Sequence, residues 1–287
     1  MLHRNELLGI IGYPLGHSLS PAMHNAAFRH LGWDCHYHAF EVRPGRLGEA
    51  LQAIRVLGLA GINITIPYKE EIKEHLDELA PSARLVGAVN TVHRQKDKLV
   101  GHNTDLGGLA AALSEEGFTV RGKKAVVLGA GGAARAAALS VALEGAREIA
   151  VVNRNLKRAE DVAAAVSTHT GVPCSALGWQ RDMMAACLDG AGILLQCTPL
   201  GMSPREEELP LLPIEALPPE CQVYDLVYNP LETALVRRLR EQGRPAAGGL
   251  GMLVHQAALA WQVWFGEPGP KEVMREAALR HLRQRRD

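Results

Sequence analysis

A lysine occupies an unexpected place in the stretch GINITIPYKEEI, residues 61–72. The apolar first half predicts a buried strand, and the pattern YKEEIKEHLDEL, residues 68–79, predicts an amphipathic α-helix. Lys69 would then lie in the first turn of this helix, where the positive end of the helix dipole disfavours a cation by roughly 0.3–1 kcal/mol. Lys69 is therefore either an ordinary solvated charge or an amine whose pKa is lowered for proton transfer.

The segment VVLGAGGAAR is a second chemical signal, with Gly129, Gly131 and Ala134 at the spacing G-x-G-x-x-A. In dinucleotide-binding proteins the first glycine permits a tight turn, the second lets a pyrophosphate approach the backbone, and the small third residue lets the helix pack on the strand. Here the motif follows an apolar strand, opens an alanine-rich helix and precedes another strand, which is the context that supports it. The sequence therefore predicts a bound dinucleotide rather than a purely structural turn. Its expected contacts are Gly129, Ala130, Gly131, Gly132 and Ala133.

The next strand ends in VVNRNLKRAE and favours NADP over NAD. An acidic residue about 20 residues after the glycines usually holds the ribose 2′-hydroxyl of NAD. This chain has Asn153 and Arg154 there, with Arg158 one helical turn later. Two guanidinium groups suit a 2′-phosphate through their charge and their bidentate hydrogen bonding. The alternative is that both arginines are solvated surface charges.

Strands and helices alternate along the chain and must position these residues. The alternation predicts an α/β fold with parallel sheets covered by helices. Ser20 and Pro21 are predicted as the N-cap and first residue of one helix. The stretches GAVNTVHR and KLVGHN around the polar turn QKDK predict a hairpin. A fresh βαβ pattern at KKAVVLGAG indicates two domains, of residues 1–105 and 106–249.

The composition argues against several classes of protein, namely nucleic-acid-binding, membrane-spanning, disulfide-bonded and metal-binding ones. Lysine plus arginine and aspartate plus glutamate number 31 each in 287 residues, so charge gives no reason to expect a nucleic-acid or membrane partner. The apolar stretch GLGMLVHQAALAWQVWFG contains His255 and two glutamines, which favours a buried helix over a membrane span. Five cysteines without a CxxC pair indicate free thiols in the reducing cytoplasm. His36 and His38 share a strand face but match no zinc pattern, so no metal is expected.

Four further stretches, GHSLSP, NITIPYK, GAVNT and GHNTD, occur where loops after strands would meet a bound cofactor. Each alone has a plain structural explanation, such as a helix cap or a turn. In this order, ahead of the glycine motif, they closely resemble the shikimate dehydrogenase family. The stretches QCTPLGMSP, YDLVYNPLET and GGLGMLVHQAALAW extend the resemblance over nearly the whole chain. It implies an oxidoreductase with a substrate-binding domain, completed by residues 250–287, and a Rossmann-type NADP-binding domain. We expect a monomer or a homodimer.

The resemblance also implies roles for individual side chains. Ser18 and Ser20 would bind the carboxylate of shikimate at a helix N-terminus, which is a favourable place for an anion. The ring hydroxyls and the carboxylate end would be held by Thr65, Asn90, Asp105, Gln256 and Tyr228. Leu226 and Gly249 would join the contacts to NADP.

Lys69 and Asp105 would be the catalytic pair of a reversible hydride transfer between NADPH and 3-dehydroshikimate. A positioned amine can accept the alcohol proton as the hydride leaves and can return it in the reducing direction. Burial and the helix dipole would lower the pKa of the amine, and Asp105 would raise it. Leu106, Asn155 and the tripeptide QCT depart from the family pattern without removing a proposed catalytic residue. A relative that takes quinate or uses NAD, and a catalytically silent NADP-binding regulator, remain as alternatives.

Overall fold

The protein consists of two α/β units, and its computed structural model describes residues 5–16 and 18–284, apart from the side chains of residues 181 and 182. The first unit comprises Met1–Thr104 and Val254–Asp287, and the second comprises Asp105–Leu253. The divisions expected from the sequence, after residues 105 and 249, fall near these positions.

The first unit contains a six-stranded sheet with helices α1 to α3. In chain order its elements are β1 (Leu7–Gly12), α1 (Ser20–Leu31), β2 (His36–Glu41), α2 (Leu47–Leu57), β3 (Gly61–Ile64), a 3₁₀ helix (Glu71–His75), β4 (Glu78–Leu79), α3 (Pro81–Val86), β5 (Thr91–Gln95) and β6 (Lys98–His102). The strand order is β2-β1-β3-β5-β6-β4. Its core lies between the sheet and helix α2, with Leu51, Ile62 and Ile64 buried.

The sheet of the first unit is mixed, so the predicted parallel pairing holds for only part of it. Strand β1 pairs in parallel with β2 and β3, whereas β5 pairs antiparallel with both β3 and β6. The antiparallel pair β5–β6 is the predicted hairpin. Its short turn contains Lys96, which has a φ of 58°. A two-residue connection of this kind joins antiparallel strands and cannot join parallel ones.

The predicted helix over residues 68–79 is also wrong. Only the 3₁₀ segment Glu71–His75 is helical, and β4 follows it. The reason is a tertiary contact with Leu99. The N–H of Asp77 donates to the carbonyl of Leu99 (3.1 Å), and the N–H of Leu99 donates to the carboxylate of Asp77 (2.6 Å). Pairing with β6 therefore overrides the helical pattern. Lys69 lies in the turn before the 3₁₀ segment, so the argument from a helix dipole does not apply to it.

The start of α1 differs from the prediction by one residue. Leu19 is the N-cap, Ser20 is the first helical residue, and no side chain caps the helix. The helix ends as expected at Gly32, which has left-handed backbone geometry with a φ of 65°.

The second unit has a fully parallel sheet, as predicted. Its elements are α4 (Asp105–Glu115), β7 (Lys124–Leu128), α5 (Gly132–Leu143), β8 (Glu148–Asn153), α6 (Leu156–Thr170), β9 (Cys174–Gly178), α7 (Arg181–Leu188), β10 (Ala191–Gln196), a 3₁₀ helix (Ile214–Ala216), β11 (Gln222–Asp225), α8 (Ala234–Glu241) and β12 (Ala246–Ala247). The strand order is β12-β11-β10-β7-β8-β9. This is the order of the dinucleotide-binding Rossmann fold, in which the ligand binds beyond the carboxyl ends of the strands where the order reverses, here between β7 and β10.

Two C-terminal helices, α9 (Leu250–Phe265) and α10 (Lys271–Gln284), end the described chain. Helix α10 packs against α1. In α9, Trp264 donates from Nε1 to the carbonyl of Val92 in β5 (3.0 Å), and Trp261 stacks on Trp33 at 5.1 Å. Gly61 permits this approach, since an added Cβ would lie 2.2 Å from Trp264 Nε1. The predicted return of the C-terminal segment to the first unit is thus confirmed.

In the described ranges, no helix is long and apolar enough to cross a membrane.

Candidate active site

Two serines lie at the N-terminal end of α1. Ser18 precedes the helix and is half-buried, and Ser20 is buried. The Oγ of Ser18 lies 3.4 Å from the N–H of Ser20, at the long end of the hydrogen-bond range. The N-cap residue Leu19 offers no side-chain hydrogen bond to α1. The first backbone amide groups of the helix and the two serine hydroxyls lie at the same end, an arrangement that suits an anion.

Thr65 and Lys69 occupy the segment after β3. Thr65 donates from its backbone N–H to the carbonyl of Ile11 (2.9 Å), and the carbonyl of Lys69 accepts the N–H of Val89 (2.7 Å). These bonds fasten the segment to β1 on one side and to the loop that carries Asn90 on the other. Both side chains are half-buried.

Asn90 is the centre of a buried hydrogen-bond network. Its Oδ1 accepts the N–H of Thr104 (2.8 Å) and the hydroxyl of Thr91 (3.0 Å). Its Nδ2 donates to Thr104 Oγ1 (2.9 Å) and lies 3.5 Å from Gln256 Oε1. The network therefore brings the predicted residues Asn90 and Gln256 together. In a buried site such bonds are strong when complete and costly when one partner is lost.

Asp105 is the first residue of α4 and is buried. It follows Thr104, and the preceding Asn103 donates from Nδ2 to the carbonyl of Ala88 (3.0 Å). The chain is thus fixed just before Asp105. Asp105 and Tyr228 belong to the second unit, whereas the other residues predicted to bind substrate belong to the first.

The glycine motif forms the turn between β7 and α5. Gly129 has a φ of 111°, and an added Cβ would lie 3.3 Å from the carbonyl oxygen of Cys197. Gly131 is the N-cap of α5 and is exposed, and an added Cβ would meet no atom within 4 Å. Ala134 is fully buried against the sheet. With no side chain capping α5, the turn leaves an open cradle at a helix N-terminus, which fits a pyrophosphate.

The predicted 2′-phosphate residues lie at the end of β8 and the start of α6. Asn153 donates from Nδ2 to the carbonyl of Asn155 (2.9 Å), and the side chain of Asn155 accepts the N–H of Arg158 (3.2 Å). Asn155, one of the departures from the family pattern, therefore caps α6. Arg154 and Arg158 are exposed, and neither forms an ion pair with another described residue.

Leu226 and Gly249 are in close backbone contact, since an added Cβ on Gly249 would lie 2.1 Å from the carbonyl oxygen of Leu226. The neighbouring Val227 accepts the N–H of Gly249 (2.9 Å) and donates its own N–H to Asp225 (3.0 Å). The second oxygen of Asp225 accepts the hydroxyl of Thr233 (2.7 Å). Burial raises the pKa of Asp225 to about 6, although both hydrogen bonds act to lower it.

The other two departures from the family pattern have structural roles. Gln196 is fully buried, accepts the N–H of Thr198 (2.7 Å) and donates to the carbonyl of Leu200 (3.2 Å), so it shapes the loop opposite the glycine turn. Leu106 is half-buried, and its carbonyl accepts the hydroxyl of Ser140 (3.0 Å), which joins α4 to α5.

No metal site is apparent in residues 5–16 and 18–284, because no group of three potential ligands comes together there. The five cysteines are free thiols, as predicted.

Comparison with protein families gives matches along most of the chain. Residues 10–92 match the shikimate dehydrogenase substrate binding domain, residues 111–198 match shikimate / quinate 5-dehydrogenase, and residues 249–279 match the shikimate 5′-dehydrogenase C-terminal domain. A shikimate dehydrogenase (NADP(+)) of Symbiobacterium thermophilum is 49% identical, over 96% of this chain and 95% of the relative. The chain belongs to the shikimate dehydrogenase family.

Solved structures of this family have the same fold. The shikimate 5-dehydrogenase of Thermus thermophilus, solved with NADP(H) and shikimate, is 36% identical with a TM-score of 0.84 and covers 96% of this chain and 99% of its own. A 5-ketofructose reductase of Gluconobacter is also similar, at 33% identity and a TM-score of 0.86, covering 96% and 99%. The predicted family and the two-domain α/β architecture are therefore confirmed.

Three residues of the Asn90 network were missing from the prediction for this shikimate dehydrogenase site. Asn63 donates from Nδ2 to the carbonyl of Asn90 (3.1 Å) and to the hydroxyl of Thr91 (3.0 Å), and Thr104 closes the network. The available signal was the lone amide of Asn63 in the apolar strand GINI, because a buried polar group needs partners. The sequence did not indicate which residues those partners are.

Proposed function

We propose that this chain is an NADP-dependent oxidoreductase that reversibly reduces 3-dehydroshikimate to shikimate. The observation that carries the proposal is the buried amide–hydroxyl network around Asn90, in a chain that matches one family along most of its length. A ring with several hydroxyls requires donors and acceptors fixed in advance, since each buried polar group left unpaired costs about 1–3 kcal/mol.

The substrate carboxylate binds at the start of α1. Ser18 and Ser20 offer hydroxyl donors there, and the first turn of the helix offers backbone amide groups. The ring hydroxyls bind Thr65, Asn90, Asp105 and Gln256, and Tyr228 contacts the carboxylate end. Asn90 and Gln256 are held ready by the network that joins them.

Lys69 moves the proton of the reacting hydroxyl. In the oxidising direction its amine accepts that proton as the carbon loses a hydride, and in the reducing direction its ammonium returns the proton to the oxygen. Asp105 orients the amine. Bound NADP supplies the hydride acceptor in one direction, and NADPH supplies the hydride in the other.

The cofactor binds at the glycine turn of the second unit. Gly131 and the N-terminal end of α5 would hold the pyrophosphate, since a Cβ added at Gly131 meets no protein atom within 4 Å and the backbone is open to a ligand there. Asn153, Arg154 and Arg158 bind the ribose and its 2′-phosphate, and the exposed guanidiniums support this role. Gly129, Ala130, Gly132 and Ala133 complete the turn, and Leu226 and Gly249 border it.

Initial rates with a panel of substrates and cofactors test this proposal. We expect fast NADP reduction with shikimate, and slow or no reduction with quinate or with NAD. Faster turnover of quinate would correct the substrate, and equal use of NAD would correct the cofactor. The ketofructose reductase among the similar structures makes 5-ketofructose with NADPH a necessary addition to the panel. The sugar 5-ketofructose has no carboxylate, so the proposed contacts of Ser18 and Ser20 should not favour its binding.

We also infer the domain bounds, the cellular compartment and the oligomeric state of the enzyme. Residues 1–105 with 250–287 form the substrate-binding domain and residues 106–249 the NADP-binding domain. Free thiols at all five cysteines support a reducing cytoplasm. We expect a monomer or homodimer with no nucleic-acid or membrane partner, and light scattering of the purified protein would decide the oligomeric state.

A further inference from the structure

Tyr37 in β2 is bonded to the Asn90 network of the candidate substrate site. Its ring is buried, and its hydroxyl donates to Asn63 Oδ1 at 2.6 Å. Burial raises the pKa of the Tyr37 phenol well above its usual value, so the hydroxyl keeps its proton and remains a donor to Asn63.

The bonds beyond Asn63 continue to Asn90. Asn63 donates to Thr91 Oγ1 (3.0 Å), and Thr91 donates to Asn90 Oδ1 (3.0 Å). Each group in this chain of hydrogen bonds donates to the next, from Tyr37 to Asn90. The Tyr37 phenol is thereby joined to Asn90 through the interior of the first unit.

Tyr37 itself is fixed from two sides. The side chain of Asn25 in α1 donates to the Tyr37 carbonyl (2.8 Å) and accepts its N–H (2.9 Å). The ring of His24 stacks on the Tyr37 ring at 4.5 Å with an interplanar angle of 15°. Neither ring nitrogen of His24 has a hydrogen-bond partner among the described residues, and burial lowers its pKa to about 3. His24 therefore acts as a flat, uncharged surface that holds the tyrosine.

We propose that Tyr37 is a positioning residue that sets Asn63, and through it Asn90, for substrate binding, an inference that rests on the proposed function. Asn63 depends on the Tyr37 phenol for a donor to its Oδ1, and its Nδ2 donates to the carbonyl of Asn90. Removing the hydroxyl leaves a buried amide oxygen unpaired and frees Asn63 to turn, so that Asn90 is no longer held in place for a ring hydroxyl.

The test is Tyr37→Phe, with Tyr68→Phe as its matched control. Tyr68 is an equally buried tyrosine of the first unit whose hydroxyl bonds the carbonyl of Val42 (2.6 Å), away from this network. We expect Tyr37→Phe to raise the KM for shikimate about tenfold while the KM for NADP and kcat stay within about twofold. The dissociation constant of shikimate in the dead-end complex with NADPH should rise equally. Tyr68→Phe should lower the melting temperature without moving either constant.

A double-mutant cycle tests whether the effect passes through Asn63. In an Asn63→Ala background, Tyr37→Phe should raise the KM for shikimate by less than it does in the wild type. If the two substitutions had fully additive effects on the logarithm of the KM for shikimate, the proposal would be overturned. Equal KM values for Tyr37→Phe and Tyr68→Phe would overturn it too. If Tyr37→Phe does not fold, Asn25→Ala must raise the KM for shikimate selectively. An inactive wild type that binds no shikimate would instead refute the proposed function.

Discussion

Asp225 gives a stability prediction whose sign and size follow from its surroundings. The carboxyl group is buried, and its two neighbours are donors without a formal charge, the N–H of Val227 and the hydroxyl of Thr233. Asparagine at this position keeps an acceptor for Val227 and cannot ionise. We therefore expect Asp225→Asn to change the pH dependence of stability rather than the fold.

The magnitude follows from the difference between the two states. The pKa of Asp225 is about 6 in the folded protein, against an ordinary value of 3.8. At about 1.4 kcal/mol per pKa unit, ionisation of the buried group disfavours folding by about 3 kcal/mol. The folded state binds the proton of Asp225 more tightly than the unfolded state does. The stability that this proton contributes is therefore fully present below pH 3.8 and is lost as the pH rises through about 6.

Urea unfolding followed by circular dichroism, between about pH 4 and about pH 8, measures this effect. The free energy of unfolding of Asp225→Asn should rise relative to the wild type by about 2.5 kcal/mol over that range. Asp77→Asn is a control whose difference from the wild type should stay constant over that range. The N–H of Leu99 and then Arg55 lower the pKa of Asp77, so its contribution is present above pH 3.8 and is lost only at more acid pH. A difference in the free energy of unfolding between Asp225→Asn and the wild type that does not change with pH would refute the reasoning.

Three further predictions concern the cofactor side. Arg154→Ala and Arg158→Ala should each raise the KM for NADP about tenfold and leave the KM for NAD unchanged in initial-rate assays, because each removes a partner of the 2′-phosphate. Gly131→Ala should weaken NADP binding in calorimetry while the melting temperature stays the same, since its Cβ meets no atom of the protein. Gly249→Ala should lower the melting temperature and weaken NADP binding together, because its Cβ would lie 2.1 Å from the Leu226 carbonyl.

Local sequence signals were sufficient where a short segment determines its own structure. The glycine motif predicted both the turn at Gly129 and the close packing of Ala134, because only small residues meet those backbone demands. The turn QKDK predicted the hairpin of β5 and β6, because a short polar turn between two strands joins antiparallel neighbours. Asn155 caps α6, a position that asparagine favours.

Apart from the one-residue shift at the start of α1, the failures involve partners distant in sequence. The segment after Lys69 has a helical pattern, but Asp77 binds Leu99 in β6 and the chain continues as a strand. The network of Asn63, Thr91 and Thr104 assembles only when β3, β5 and the end of β6 come together. The predicted position of Lys69 in a helix was therefore wrong, whereas its proposed chemistry does not depend on the helix dipole.

The most direct test of the central claim compares the wild type with Lys69→Ala. Initial rates of NADP reduction with shikimate and the dissociation constant of NADP are measured for both proteins. The account predicts fast turnover by the wild type and a loss of about 10²–10⁴-fold in Lys69→Ala, with unchanged NADP affinity. A wild type that binds NADP but does not turn over shikimate, or a Lys69→Ala variant as fast as the wild type, would contradict it.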